Sequence, residues 1–317
     1  MECQELLILL DKDRRMKNIL RLIVFVCFVN TISAQQIPLT SQYMFNNYLL
    51  NPAEAGSVDY MPISLSARAQ WNGIEGAPKT QFFSAHSKLG QKMGIGGFVY
   101  RDETGPINEQ GVQLSYAYHL SLNDDAKISF SLAGQLFFHG INRAYLRPDE
   151  GDDAALNTLK VNAISPDINF GILYYTDKYK VGLSSPQLLQ NSIYSSTEDI
   201  DSPKLARHYY LYGEYEFGMN DKIDLVPSTL VKYVAGAPFQ FDINVKALYN
   251  KKYWIGASYR YNNAVVGMLG LNWKNLSFGY SYDYNLTDIA DYSAGAHEIF
   301  LTYKLMKKKG EEAKRFD

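Results

Sequence analysis

The sequence predicts an all-β protein: a transmembrane antiparallel β-barrel of about 14 strands with a short N-terminal plug-like segment. Three observations predict this fold: segments with apolar residues at alternate positions, a leader typical of exported proteins, and connections that alternate between short and long. A period of two with one apolar face is typical of a half-buried strand. The 25 tyrosines favour β-structure with amphipathic rings at a boundary.

Residues 1–34 resemble a signal peptide. Basic Lys17 and Arg21 precede the apolar run 22–29, and the small residue Ala34 follows it. This order of basic, apolar and small residues is typical of an export signal, and the run is too short to span a membrane. We expect translation to start at Met16, which N-terminal sequencing of the precursor would test.

The remaining chain has few features of a soluble enzyme or a nucleic-acid-binding protein. Cys3 and Cys27 both precede the expected cleavage site, so we expect no disulfide in the mature protein. The formal net charge of −2 gives no basic excess for nucleic acid. No apolar run after Ala34 is long enough for a membrane-spanning helix. Such an exported protein is either soluble outside the cytoplasm or a membrane barrel.

Residues 35–59 form the predicted N-terminal periplasmic or plug segment, and its distinctive part is 42–56. Apolar residues there recur at helical rather than strand spacing. Asn51 can cap a short helical turn, Pro52 suits its first position and Gly56 its left-handed exit. The segment is either a packing plug or a docking element for a partner. Its candidate residues are Tyr43, Met44, Phe45, Asn46, Asn51, Pro52 and Gly56.

Residues 60–306 form the predicted outer-membrane barrel. Many of its strands have about ten residues, enough to cross a bilayer when tilted. The predicted strands are roughly 60–71, 79–89, 93–102, 110–121, 126–139, 166–176, 178–186, 207–218, 222–234, 238–249, 252–262, 264–273, 275–285 and 296–306.

The connections give the barrel an expected orientation. Those after even-numbered strands are short and rich in Asn, Asp and Gly, whereas 140–165, 187–206 and 286–295 are long. Two connections on the long side, near 236–238 and 262–263, are short exceptions. Short periplasmic turns and long external loops are typical of outer-membrane barrels. An even strand number then places both termini, including the charged tail 307–317, on the periplasmic rim.

The two strand faces predict two environments. The apolar, Tyr- and Phe-rich face should meet lipid, and the polar face should line a lumen. The polar face fits a structural charge lattice in a plugged lumen, a selective pore, or a polypeptide-binding lumen. The predicted lumen residues are Arg68, Gln70, His119, Gln135, Glu214, Glu216, Lys232, Asp242, Lys246, Arg260, Asp283 and Glu298.

No motif predicts a catalytic, cofactor or metal site. The five histidines are scattered, without metal-ligand spacing, and there is no nucleophile elbow. Gly94, Gly96 and Gly97 lie within a strand, where glycines mark bends or close backbone packing. The acidic loop 147–153 lacks the ligand spacing of a calcium loop and favours a solvated loop. One Ser–His pair brought together in space would suffice for a barrel hydrolase, and the sequence alone does not exclude it.

Several stretches in order along the chain resemble one family. These are Gln42–Asn46 with Asn51–Gly56, Arg68–Gly73 with Gly76–Thr80, Gly94–Gly97 with Asp102 and Gly105, Tyr116–Tyr118, and Gly295–Ile299 with Leu301 and Tyr303. Together they resemble the PorP/SprF family of type IX secretion system outer-membrane proteins of Bacteroidota. Asn47, where the family often has Pro, and Glu54, where an aromatic residue is common, depart from it.

The resemblance implies a non-enzymatic barrel that aids secretion or surface anchoring of cargo with a type IX C-terminal signal domain. In gliding species that cargo includes large adhesins. The implied partners are outer-membrane lipid, the secretion machinery and exported cargo. Two alternatives stay open from the residues: an outer-membrane channel for small or apolar solutes, and a soluble secreted β-sandwich.

Overall fold

A computed structural model of the chain describes residues 41, 43–142, 145, 162–193 and 204–306. The predicted signal peptide 1–34, the acidic loop 147–153 and the tail 307–317 lie outside these residues. No helix among the described residues is long and apolar enough to cross a membrane.

The chain forms fifteen β-segments in one sheet. In order they are β1 Tyr60–Ala69, β2 Lys79–Leu89, β3 Met93–Thr104, β4 Ile107–Ser121, β5 Lys127–Ile141, β6 Asn162–Tyr175, β7 Tyr179–Ser185, β8 His208–Tyr215, β9 Phe217–Asn220, β10 Ile223–Val234, β11 Gln240–Tyr249, β12 Tyr253–Arg260, β13 Ala264–Trp273, β14 Leu276–Asn285 and β15 Ala296–Met306.

The sheet closes into an antiparallel barrel of fourteen strands, which confirms the predicted fold. Neighbours in sequence are neighbours in space, and β1 pairs with β15 from Tyr60↔Met306 to Ala69↔His297. The additional segment β9 pairs with β10, just beyond β8. Pro227 of β10 lies between these two pairings and has no backbone N–H, so the ladder is interrupted there. The predicted single strand 207–218 is therefore divided.

Burial alternates along most strands as predicted, with mainly polar residues inward and apolar residues outward. On β4, Gln113, Ser115 and His119 are buried while Leu114 and Tyr116 are exposed. An outward apolar face and an inward polar face suit a wall between lipid and a lumen.

The two rims of the barrel differ in their connections. At one end, here the short-turn rim, no connection is longer than residues 122–126 between β4 and β5. The other end, the long-loop rim, carries 70–78 and 286–295 as well as the intervals that follow β5 and β7. β3 and β4 extend further than predicted and meet at the two-residue turn Gly105–Pro106, where Gly105 has φ 53°. That turn adds a third short connection to the long-loop rim.

Candidate functional site

The N-terminal segment, residues 43–56, lies inside the barrel as three 3₁₀ turns: Tyr43–Phe45, Asn47–Leu49 and Pro52–Glu54. Tyr43, Met44 and Tyr48 are buried against inward-facing side chains. The predicted cap is present, because the Asn51 side chain accepts a hydrogen bond of 2.9 Å from Ala53 N. Gly56 has φ 78°, the left-handed conformation that favours glycine.

Hydrogen bonds join the segment to strands on different sides of the barrel. Asn46 Nδ2 donates to Ser84 Oγ of β2 at 2.9 Å, and Asn51 Nδ2 donates to the Ile172 carbonyl of β6 at 2.9 Å. The Tyr43 hydroxyl accepts from Asn244 Nδ2 of β11 at 2.8 Å. Because β2, β6 and β11 are far apart in the strand order, the segment crosses the lumen rather than resting at its mouth.

Two further contacts involve phenol and imidazole groups. The Tyr48 hydroxyl lies 2.7 Å from Ser115 Oγ, and burial raises the pKa of this phenol to about 12. Both hydroxyls carry a proton at neutral pH, so either can donate in this contact. His119 Nε2 donates to the Ala55 carbonyl at 2.8 Å, while its Nδ1 accepts from the Tyr175 hydroxyl at 2.9 Å. The predicted lumen residue His119 thus holds the backbone at the end of the segment.

Glycines on the wall make room for the segment. A Cβ atom on Gly94 of β3 would lie 1.9 Å from the Ala55 carbonyl oxygen. On Gly171 of β6 it would lie 2.0 Å from Asn51 Oδ1. Distances this short are impossible for real atoms, so only glycine permits the observed approach. The expectation that Gly94 marks close backbone packing is confirmed.

A second feature is a charge cluster of Ser41, Arg68, Lys232, Asp242, Arg260, Asp283 and Glu298. Its six ionisable members are among the predicted lumen residues, and all are buried. Each of the six lies within three residues of the long-loop end of its strand. Three cations face three anions, so the cluster is formally neutral.

Ser41 lies at the centre of this charge cluster. Its backbone N–H donates to Glu298 Oε2 at 2.7 Å, and its hydroxyl donates to Asp283 Oδ2 at 2.7 Å. Arg68 Nη1 and Arg260 Nη2 donate to the same hydroxyl at 2.7 and 3.2 Å. Ser41 is therefore held near the long-loop rim, whereas β1 begins at the short-turn rim.

Ion pairs complete the charge cluster. Arg68 Nη2 lies 2.7 Å from Asp283 Oδ2, and Arg68 Nη1 lies 3.2 Å from Glu298 Oε2. Asp242 is more loosely placed, at 3.7 Å from Arg260 Nε and 3.9 Å from Lys232 Nζ. Buried charges are tolerated only when paired in this way.

The other predicted lumen residues lie elsewhere. Gln135 is buried on β5, where its Oε1 accepts from Asn169 Nδ2 at 2.6 Å. Glu214 is half-buried and pairs with Lys180 at 3.3 Å. Glu216 is exposed in the break between β8 and β9, and Gln70 follows β1 beside an open cavity of about 590 Å³ at the long-loop rim. The structure therefore groups six of the predicted residues and separates the rest.

Sequence reasoning missed Ser41, Lys180 and the role of Glu54. The Glu54 carboxylate accepts from the Tyr212 hydroxyl at 2.7 Å and pairs with Lys180 Nζ at 3.4 Å. An acidic residue in an otherwise apolar segment requires a partner, and that signal was available in the sequence. Ser41 carries no comparable signal. The described residues contain no cluster of three or more His, Cys, Asp or Glu that could hold a metal ion.

Comparisons with known proteins agree with this architecture. The profile of the family described as type IX secretion system membrane protein PorP/SprF matches residues 32–303. No curated protein sequence matches the chain.

Solved structures give a likeness of fold. The Ralstonia pickettii toluene transporter TbuX aligns with a TM-score of 0.50 at 10% identity, covering 86% of this chain and 95% of TbuX. A mutant of the monoaromatic hydrocarbon channel TodX aligns with a TM-score of 0.51 at 10% identity, covering 83% of this chain and 94% of TodX. At this identity the likeness concerns the outer-membrane barrel fold alone.

Proposed function

The chain belongs to the PorP/SprF family of type IX secretion system membrane proteins, and from that premise we propose that it is a non-enzymatic outer-membrane accessory of type IX secretion. In this proposal it aids secretion or surface anchoring of cargo that carries a type IX C-terminal signal domain. Adhesins are the expected cargo in a gliding species. The secretion machinery and the exported cargo are its partners.

One observation supports an accessory role over that of an open pore: the chain's own N-terminal segment crosses the lumen. Where the segment faces β2–β6, β8 and β10, one cavity left between them is only about 60 Å³. A void of this size holds a few water molecules at most. Nearer the long-loop rim, the charge cluster occupies part of the same lumen. We propose that the segment acts as a plug.

The orientation of the barrel is also part of the proposal. We place the short-turn rim, where β1 begins and β15 ends, in the periplasm, because short periplasmic turns are the rule in such barrels. The periplasmic turns would then meet the secretion machinery, and the long loops would meet exported cargo.

Deletion of the protein, followed by a census of surface and secreted proteins, tests the function. We expect loss of only those proteins that carry one type of C-terminal signal domain, with restoration by the wild-type chain. An unchanged census would contradict the proposal. So would a loss of surface and secreted proteins that does not depend on their type of C-terminal signal domain.

A docking role for the segment has its own test. Type IX components would be captured with the wild-type barrel and with a variant in which residues 42–56 are replaced by a Gly/Ser sequence. Weaker capture by the variant is expected. Equal capture would leave the segment with a plugging role alone.

The second candidate function is a channel for small or apolar solutes. The observation behind it is an apolar cavity of about 780 Å³ on the outer face of β14, β15 and β1–β5, lined by Leu65, Phe83 and Val99 among others, where an apolar solute could bind. Single-channel recording in planar bilayers separates the two functions. A steady open conductance would support a channel, and silence would support the plugged accessory.

A further inference from the structure

A separate cavity, here called the rim cavity, opens at the short-turn rim. Its volume is about 250 Å³, and it lies between the N-terminal segment and the inward faces of β1, β2, β7 and β11–β15. Asn272 and Ser277, on either side of the β13–β14 turn, mark its outer edge, and Tyr60 at the start of β1 also lines it. A cavity of this size accepts one or two side chains, not a folded domain.

Positive charge predominates around the rim cavity. Lys246 Nζ lies 4.6 Å from the centre of the Phe45 ring, and Lys304 Nζ lies 5.6 Å from that of Tyr60. Both lysines are half-buried, and in the described part of the chain neither forms an ion pair with a carboxylate. Ring contacts attract a cation but do not neutralise it. These two positive charges therefore remain available to an anion.

The third lysine of the rim cavity is neutralised internally. Lys180 Nζ lies 3.4 Å from Glu54 Oε1 and 3.3 Å from Glu214 Oε1. Among the residues that line the rim cavity, three lysines face the single carboxylate of Glu54, a formal charge of +2, with Glu214 and Glu216 as the nearby carboxylates outside the lining. This differs from the charge cluster, where cations and anions are equal in number.

The floor of the rim cavity is aromatic. The Phe45 ring lies 4.1 Å from Trp254 and 5.0 Å from Phe300 between centroids. Hydroxyl and amide groups of Ser277, Thr302 and Asn272 stand beside these rings. A small inorganic anion needs only the cations, whereas the aromatic floor suits an apolar side chain next to a carboxylate.

From this combination we infer that the rim cavity binds an acidic peptide segment. Its carboxylate would pair with Lys246 and Lys304, and the adjacent apolar side chain would pack on Phe45, Trp254 and Phe300. Charge-assisted hydrogen bonds and apolar burial together are a common basis for peptide recognition. The inference rests on the proposed function in one respect: the acidic peptide is part of a periplasmic protein of the secretion machinery.

The test uses the full-length barrel purified in detergent. The probe is a capped peptide Phe-Glu-Phe-Glu, and its neutral counterpart is Phe-Gln-Phe-Gln, both titrated by calorimetry. We expect the acidic peptide to bind about tenfold more tightly at low salt, with the difference decreasing as salt screens the charges. Equal affinity for the two peptides would overturn the inference.

Variants assign the binding to the rim cavity. Lys246→Met and Lys304→Met should each weaken binding of the acidic peptide about tenfold. Lys274→Met is the matched control, because Lys274 Nζ lies 5.2 Å from the Trp273 ring on the same rim but outside the cavity. A variant that no longer migrates as a folded barrel is replaced by Lys246→Gln or Lys304→Gln. Equal losses in all variants would contradict the assignment.

Two further titrations distinguish the acidic peptide from other occupants of the rim cavity. Inorganic phosphate should bind much more weakly than the peptide, and equal affinity would identify a site for free anions instead. Removal of residues 307–317 should leave peptide affinity unchanged. Binding that appears only after this removal would make the chain's own tail the occupant. None of these results depends on the secretion census, so the inference can fail while the proposed function stands.

Discussion

The charge cluster and the rim cavity use the same residue types in opposite ways. In the charge cluster, three cations and three anions surround Ser41, and all of them are buried. In the rim cavity, Lys246 and Lys304 contact rings rather than carboxylates. Compensated charges can hold a chain segment but present no net charge to a ligand. Uncompensated charges contribute little to folding and remain able to bind.

The largest expected effect tests the charge cluster. Arg68→Met removes the cation that pairs with both Asp283 and Glu298. Because both buried carboxylates lose an ion pair with Arg68, and Asp283 keeps only its longer ion pair with Arg260 at 3.4 Å, we expect the free energy of unfolding to fall by about 3–5 kcal/mol. Denaturant unfolding in lipid vesicles measures this loss. The control is Arg101→Met, whose exposed pair with Glu103 should contribute no more than about 1 kcal/mol. Similar small losses in both variants would contradict a structural cluster.

A smaller effect is expected where the wall meets the N-terminal segment. Gly94→Ala places a methyl group against the Ala55 carbonyl, so the segment or the wall must shift. We expect a loss of about 1–3 kcal/mol in the free energy of unfolding. We also expect brief conductance openings in planar bilayers. Gly134→Ala is the matched control, since a methyl group there would meet no atom within 4 Å. An unchanged Gly94→Ala barrel would mean that the segment is not tightly seated.

The cap of the last turn should contribute less. Asn51→Ala removes the acceptor for Ala53 N and the donor to the Ile172 carbonyl, with an expected loss of about 1–2 kcal/mol. Asn51→Ser keeps a capping oxygen without adding a charge and removes the amide donor, so its unfolding free energy should lie between those of wild type and Asn51→Ala. A serine variant as unstable as the alanine variant would assign the effect to the wall contact alone.

The smallest expected effect lies in the rim cavity. Lys246→Met removes a cation whose contact with the Phe45 ring is offset by the cost of burying it without a carboxylate partner, so the free energy of unfolding should change by no more than about 1 kcal/mol. The same denaturant measurement that detects the Arg68→Met loss checks this value. A loss comparable with that of Arg68→Met would show that Lys246 is structural, and the contrast between the two regions would disappear.

Much of the barrel could be predicted from the sequence, because the alternation of apolar and polar residues is visible within a single strand. The alternation predicted all fourteen strands of the barrel and put Arg68, Asp242 and Glu298 on the inward face. The errors occurred where local chemistry overrides the pattern. Pro227 interrupts the pairing of β8 with β10, so the predicted single strand is divided. The polar residues around Asn108 do not show the apolar alternation of a strand, although β4 begins at Ile107, directly after the Gly105–Pro106 turn.

The interior was less accessible, because its contacts join residues distant in sequence. The capped turn at Asn51 was predicted from Asn51, Pro52 and Gly56, which lie within six positions of the sequence. Its partners on β6 were not, since Ile172 and Gly171 follow it by more than a hundred positions. A segment without a regular apolar pattern does not indicate which residues of the barrel wall it faces. For that reason neither the depth of the segment nor the part played by Ser41 followed from the pattern.

The seam between β1 and β15 has a consequence for how this protein assembles. The chain turns from Gly56 into β1 within a few residues, and β1 then completes the sheet by pairing with β15. The wall therefore closes around a stretch of chain that is covalently joined to the closing strand. We expect the sheet to close around this stretch. The N-terminal segment would then enter the lumen in the same step of biogenesis in which β1 pairs with β15.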